Sequence, residues 1–168
     1  MAAIFGRRQA RELHLIDVEN LLGTPYFTAT AVSALRSTYD RVSATALAAQ
    51  QVIGTSASSN LLTAALGWGK ARPVFQSGAD GADRALLAAG EYDPERRFGR
   101  IVIGSGDHAF APYAACVQSK GVDVTVVCRP QSLSRELRLA VHDVRYLPHI
   151  DSSPTAPPTR GRSPPASN

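Results

Sequence analysis

The stretch Arg100-Ile101-Val102-Ile103-Gly104-Ser105-Gly106-Asp107 decides how this chain reads. Its first five residues are almost wholly apolar, as expected of a central parallel strand that helices cover on both faces. The Ser105-Gly106 pair then forms a tight turn, and Asp107 stands just beyond the strand's carboxyl end. Downstream, Ala109 to Lys120 reads as a helix stopped by Gly121, and Val122 to Cys128 as another buried strand. Leu133 to Val141 gives a helix with Leu133, Leu137 and Ala140 on one face, and Val144 to Leu147 a last strand.

Working back toward the N-terminus, Leu13 to Val18 has strand character and ends near Asp17, ahead of the polar pair Glu19 and Asn20 and the Gly23-Thr24-Pro25 turn signal. Thr28 offers an N-cap, and Val32, Leu35, Tyr39 and Val42 recur at helical spacing, so a helix runs toward Leu47. Gln51 to Thr55 reads as a short strand, Ser59 to Leu66 as a helix closing at Gly67-Trp68-Gly69, and Pro73 to Gln76 as a strand. After Ser77-Gly78, Ala82, Ala85, Leu86 and Ala89 mark a helix from Asp80 to Ala89, and the charged stretch to Arg97 reads as a solvated loop. Strands alternate with helices throughout. Right-handed crossovers then make an α/β fold whose mostly parallel sheet of about five or six strands carries helices on both faces.

The composition fits one such domain. The chain has 168 residues, of which 44% are hydrophobic and 19% charged, enough to bury a core. The reading divides it into a lead-in over 1–12, the domain over 13–149 and a tail over 150–168. From Asp151 onward Ser, Thr, Pro, Gly and Arg dominate, so ordering that segment would cost entropy without compensating burial, and it is expected to be disordered. Lys and Arg outnumber Asp and Glu 18 to 14. Without Asp151, Arg160 and Arg162 the balance is 16 to 13, a mild positive charge that permits nucleic acid without requiring it. No apolar run reaches the length of a signal peptide core or a membrane span, so a cytoplasmic location is expected. Cys116 and Cys128 lack zinc-ligand spacing and read as buried thiols.

Asp17, Asp107 and the pair Asp80 and Asp83 come from three separate segments, yet all fall at the carboxyl edge of the sheet, where α/β folds bind ligands. Gathering carboxylates is costly unless a cation neutralises them, and hard oxygen ligands suit Mg²⁺ or Mn²⁺. A metal so held can activate water and stabilise charge on a phosphodiester under attack. Taken singly, an Asp at a helix start is commonly a cap or a partner of the helix dipole, the ordinary role for Asp80 or Asp83. A dinucleotide site would instead need a glycine-rich loop after the first strand, where Glu19, Asn20 and two leucines stand.

Three segments together resemble an NYN domain: Leu15-Ile16-Asp17-Val18-Glu19-Asn20, Gly81-Ala82-Asp83-Arg84-Ala85-Leu86, and Ile103-Gly104-Ser105-Gly106-Asp107-His108-Ala109-Phe110. The resemblance spans roughly Leu13 to Leu147. It implies a PIN-like Rossmannoid three-layer sandwich and a metal-dependent ribonuclease acting on RNA. It also implies that Asp17, Asp83 and Asp107 are the catalytic metal ligands, with Asn20 a polar residue shaping the site and Asp80 a substitute or outer partner. Many members carry a further aspartate two positions after the Ser-Gly-Asp acid, where this chain has Ala109. The alternative is an inactive domain that binds RNA as a regulatory module.

Other residues carry weaker signals. Ser105 could approach a phosphate, and Arg129, just past a strand's carboxyl end, could hold one. Arg135 and Arg138 have the spacing of a solvated helix face, and His108 that of an exposed histidine after a turn. Trp68 between two glycines reads as a core lid rather than a base-stacking platform. Oligomeric state is not readable, which leaves a homo-oligomer or a protein partner open.

Overall fold

The computed structural model describes residues 11–90 and 92–149. The expected tail and most of the expected lead-in therefore lie outside the described residues. Six strands form one sheet: β1 Glu12–Asp17, β2 Gln50–Thr55, β3 Arg72–Phe75, β4 Arg100–Gly104, β5 Asp123–Cys128 and β6 Asp143–Tyr146. Their order is β3-β2-β1-β4-β5-β6, and every pairing is parallel. The helices are α1 Val18–Leu22, α2 Ala29–Ser43, α3 Ser58–Trp68, α4 Gly81–Gly90, α5 Pro94–Arg97, α6 Ala111–Ser119 and α7 Arg135–Ala140.

Strand periodicity divides the core in two, because successive side chains leave a strand on opposite faces. Leu13, Leu15, Val52, Ile101, Ile103, Val124 and Val126 pack with Leu86 of α4, Ala114 and Val117 of α6 and Leu137 of α7. The alternate residues Ile16, Ile53, Val102 and Val127 pack on the other face with Leu21 of α1, Val32, Leu35 and Tyr39 of α2, and Ala64 and Trp68 of α3. The three-layer α/β architecture follows, with helices on both sides of an entirely parallel sheet.

Several boundaries differ from the sequence reading for local reasons. The helix that opens at Thr28, whose hydroxyl accepts from the Ala31 N–H at 3.2 Å, ends at Ser43 rather than near Leu47. Ala44 adopts a left-handed conformation there, φ 53°, and terminates it. The polar pair Glu19 and Asn20 lies inside α1, which Asp17 caps and Gly23 ends at φ 75°. The charged stretch before β4 contains the single turn α5, with Pro94 opening it. Trp68 is fully buried and its indole N–H donates to Gln51 Oε1 at 3.0 Å, so it seals the core. Cys128 is buried as expected, but Cys116 is exposed because it lies on the outer face of α6.

The amino-terminal ends of the strands hold a polar network remote from the acids. His14, fully buried, faces Tyr39 Oη at 3.0 Å and Glu12 Oε2 at 3.2 Å. Arg100 bridges Glu12 Oε1, the Ser43 carbonyl and Thr125 Oγ1. Burial holds His14 below its ordinary pKa despite Glu12 beside it.

Candidate metal centre

β1 and β4 are neighbours, with Ile16 opposite Gly104, and the sheet grows away from them in opposite directions. This reversal is where open α/β sheets leave a crevice at their carboxyl ends. Asp17 ends β1 on one side of it, and the Ser105-Gly106-Asp107 turn leaves β4 on the other.

Asp17 is buried, and its Oδ1 accepts from the Asn20 N–H at 2.9 Å, so the acid also caps α1. Asp83 arrives from across β2. Gly54, the β2 residue paired with Asp17, has no side chain, and a Cβ there would stand 2.7 Å from Leu86 Cγ and 3.2 Å from the Ala82 carbonyl oxygen. Its bareness lets the first turn of α4 lie against the sheet beside Asp17. Gly81 opens that turn, and a Cβ there would fall 1.9 Å from the Gln76 carbonyl oxygen, so its bareness lets the loop after β3 fold tightly into α4.

The Asp17 and Asp83 carboxyls consequently face each other, and each is pushed above the ordinary carboxylate range. Burial, together with the negative charges of Asp83 and Glu19 and against the Asn20 N–H, pushes Asp17 up to about 7. Burial and the charge of Asp107 push Asp83 up to about 6, with Asp80 adding to the effect. Asp83 Oδ1 is buried without any hydrogen-bond partner. Such an atom in a native interior calls for an account, since leaving a carboxylate oxygen dry and unpaired is expensive.

Asp107 is set apart from this pair and is more open, with its side chain 30% exposed. Its Oδ1 accepts from the Ala109 N–H at 2.8 Å and lies 3.1 Å from His108 Nδ1, an exposed ring. Among the described residues no three Asp, Glu, His or Cys side chains form a ready-made metal cage. The expected trio is thus a contacting buried pair with a third acid close enough to act on Asp83 through its charge. Asp80 is exposed in a left-handed conformation, φ 56°, at the mouth of α4.

The polar neighbours hold the site's backbone. Asn20 Oδ1 accepts from the Gly106 N–H at 3.1 Å, and the Asn20 carbonyl accepts from Arg129 Nε at 2.9 Å. Ser105 is fully buried, and its Oγ accepts from the Asp107 N–H at 3.2 Å. Gly106 is wedged against the next loop: a Cβ would stand 2.3 Å from the Ser132 carbonyl oxygen, and the Ser134 N–H donates to the Gly106 carbonyl at 2.8 Å. Sequence reasoning missed the role of Glu19, which accepts from the Ser56 N–H and hydroxyl and from Asn60 Nδ2, tying α1 to the start of α3. Only the unusual placement of Glu19 beside Asp17 hinted at it. Arg135 and Arg138 are exposed on α7, as a solvated helix face predicts.

The donor set fits a divalent cation. Mg²⁺ keeps several waters and draws its remaining oxygens from one or two carboxylates and from substrate phosphate. The contacting acids and the orphaned Asp83 oxygen are the arrangement that such an ion would relieve.

An all-parallel Rossmann-like sheet with acids along its central crevice is the architecture expected of a PIN-like domain. The chain belongs to the NYN domain family, whose sequence model matches residues 14–148, and members of this PIN-like family generally depend on a divalent metal. It is also similar to the crystal structure of a protein of unknown function from Vibrio parahaemolyticus, with a TM-score of 0.55 and 18% identity over 83% of this chain and 93% of that one. A likeness at that identity bears on the fold. No curated protein matches the chain.

Proposed function

We propose that the domain is an endoribonuclease that hydrolyses RNA with Mg²⁺ or Mn²⁺. The observation that carries this reading is the buried Asp17–Asp83 pair with its unpartnered Asp83 Oδ1. When bound, the cation would supply a Lewis acid at the phosphate and a bound water more acidic than bulk water. Asp17 and Asp83 would hold it, Asp83 with a buried oxygen that makes no other hydrogen bond. Asp107, more open to solvent, accepts hydrogen bonds from water entering the crevice, with Asp80 at the outer edge.

Asn20 and Ser105 position this machinery, since both spend side-chain atoms holding the turn that carries Asp107. Arg129 is fixed at Nε by the Asn20 carbonyl, which leaves its terminal nitrogens to hold an RNA phosphate that the acids alone would repel.

A second reading, an RNA-binding module that does not cut, is favoured by two observations: no three-acid cage stands ready among the described residues, and Ala109 occupies the position of a further acid. One assay separates them. Purified protein with a labelled RNA and Mn²⁺ is expected to give cleavage that Asp17→Asn or Asp107→Asn reduces by about 100-fold or more, the scale of removing a group that acts on developing charge. RNA that stays intact but shifts in a gel at low salt supports the module instead.

A further inference from the structure

A cleft of about 470 Å³ opens beside the acidic crevice, between α1 and the loops that follow β5 and β6. That volume lies within the range of roughly 300–1,000 Å³ found for small-molecule sites. Its floor is apolar, made by the buried side chains of Leu22 and Leu147, and the rings of Pro130 and Pro148 wall it. Three polar side chains join the lining, Arg129, Gln131 and His149, and His149 is already engaged with a neighbour.

The guanidinium of Arg129 is placed with care. Its Nε is held by the Asn20 carbonyl at 2.9 Å, and the group lies over Gly23, where a Cβ would stand 2.4 Å from Nη1. Its terminal nitrogens make no hydrogen bond or ion pair among the described residues. The Gln131 amide, exposed and likewise without a partner among them, offers both a donor and an acceptor. A planar apolar body with a heteroatom edge, attached to an anion, satisfies this lining: apolar walls for the faces, an amide for the edge, a fixed cation for the charge.

We infer that this cleft is a nucleobase subsite, taking the base of the nucleotide that flanks the phosphate held by Arg129 and selecting it through Gln131. The inference rests on the RNA reading above and extends it from chemistry to sequence preference. Continuity with the acids supports it. Asn20 donates its N–H to Asp17 Oδ1, receives the Gly106 N–H on its side chain and receives Arg129 on its carbonyl, so one residue fixes the spacing between crevice and cleft.

The test is affinity in EDTA, where no RNA is cut. Full-length protein is titrated with uridine and adenosine 5′-monophosphates and with ribose 5-phosphate, followed by calorimetry and by methyl NMR of Leu22 and Leu147. At least one nucleotide is expected to bind roughly tenfold or more tightly than ribose 5-phosphate, the scale of packing one base against a protein surface. Gln131→Trp, at an exposed position that leaves the fold intact, is expected to fill the cleft and abolish that advantage while the sugar phosphate still binds. Equal binding of nucleotide and ribose 5-phosphate overturns the inference. So do methyl contacts from Leu22 and Leu147 to residues 150–168 in the free protein, which would assign the cleft to the chain's own C-terminal segment. Base-dependent binding by a protein that leaves RNA uncut in the Mn²⁺ assay refutes the nuclease reading and supports the cleft; cleavage in that assay without base-dependent binding does the reverse.

Discussion

Asp83→Asn is expected to stabilise the metal-free protein at pH 8, although it removes a group assigned to the chemistry. In the folded chain burial and neighbouring charge lift Asp83 from 3.8 to about 6. The native state therefore binds more protons than the unfolded one between those values, so stability falls as pH rises through that window and the penalty is complete above it. At about 1.4 kcal/mol per pH unit, and with the lift shared between Asp83 and Asp17, the penalty is on the order of 1 kcal/mol, or a few degrees in Tm for a domain of this size. Asparagine removes the charge, keeps the shape and can donate to the ionised Asp17. Thermal unfolding in EDTA should show the variant ahead at pH 8 and level with the parent near pH 4. Saturating Mn²⁺ should raise the parent's Tm and close the gap, because binding to the native state adds stability by mass action. A variant that melts at or below the parent at pH 8 without metal refutes the argument that the pair is held in repulsion.

Three further expectations follow from the same geometry. At limiting Mn²⁺ the cleavage rate should climb from pH 5 to 8 as the Asp17–Asp83 pair, lifted to about 7 and about 6, gives up its protons. More metal should move that rise to lower pH, because cation and proton compete; a flat profile counts against the pair as ligands. Gly106→Ala places a Cβ 2.3 Å from the Ser132 carbonyl oxygen, and chemical denaturation should show a loss of about 1–3 kcal/mol, typical of overpacking. Arg129→Ala should weaken RNA binding and lower the salt-dependence slope by about 1, as measured by fluorescence anisotropy, whereas Arg129→Lys should keep the slope and still lose affinity because the brace to Asn20 is gone.

Much of the architecture is visible in the residues themselves. Ile101-Val102-Ile103 and Val124 to Cys128 are apolar on both faces, which only a covered parallel strand explains, and their caps and glycines mark most ends within a residue or two. The short helix α1 escaped notice because its signals carry two meanings: Asp17 is both the last residue of a strand and an N-cap, and Gly23 is both a turn residue and a helix terminator. The acids' common edge was legible from strand ends alone. Their actual spacing was not, since it depends on Gly54 and Gly81 admitting α4 to within contact of β1, and a glycine in a strand announces a close approach without saying of what. The bracing role of Asn20 was equally hidden, because its partners Gly106 and Arg129 lie 86 and 109 positions away in the chain.

Asp17 divides its two oxygens between different duties. One is spent on the Asn20 amide and keeps a helix in place, and asparagine performs that duty as well as aspartate does. On the proposed reading, a single base change in the encoding gene, turning Asp17 into asparagine, disarms the cation site while the helix it caps stays in place. The product of such a change is expected to be a keeper of RNA in place of a cutter.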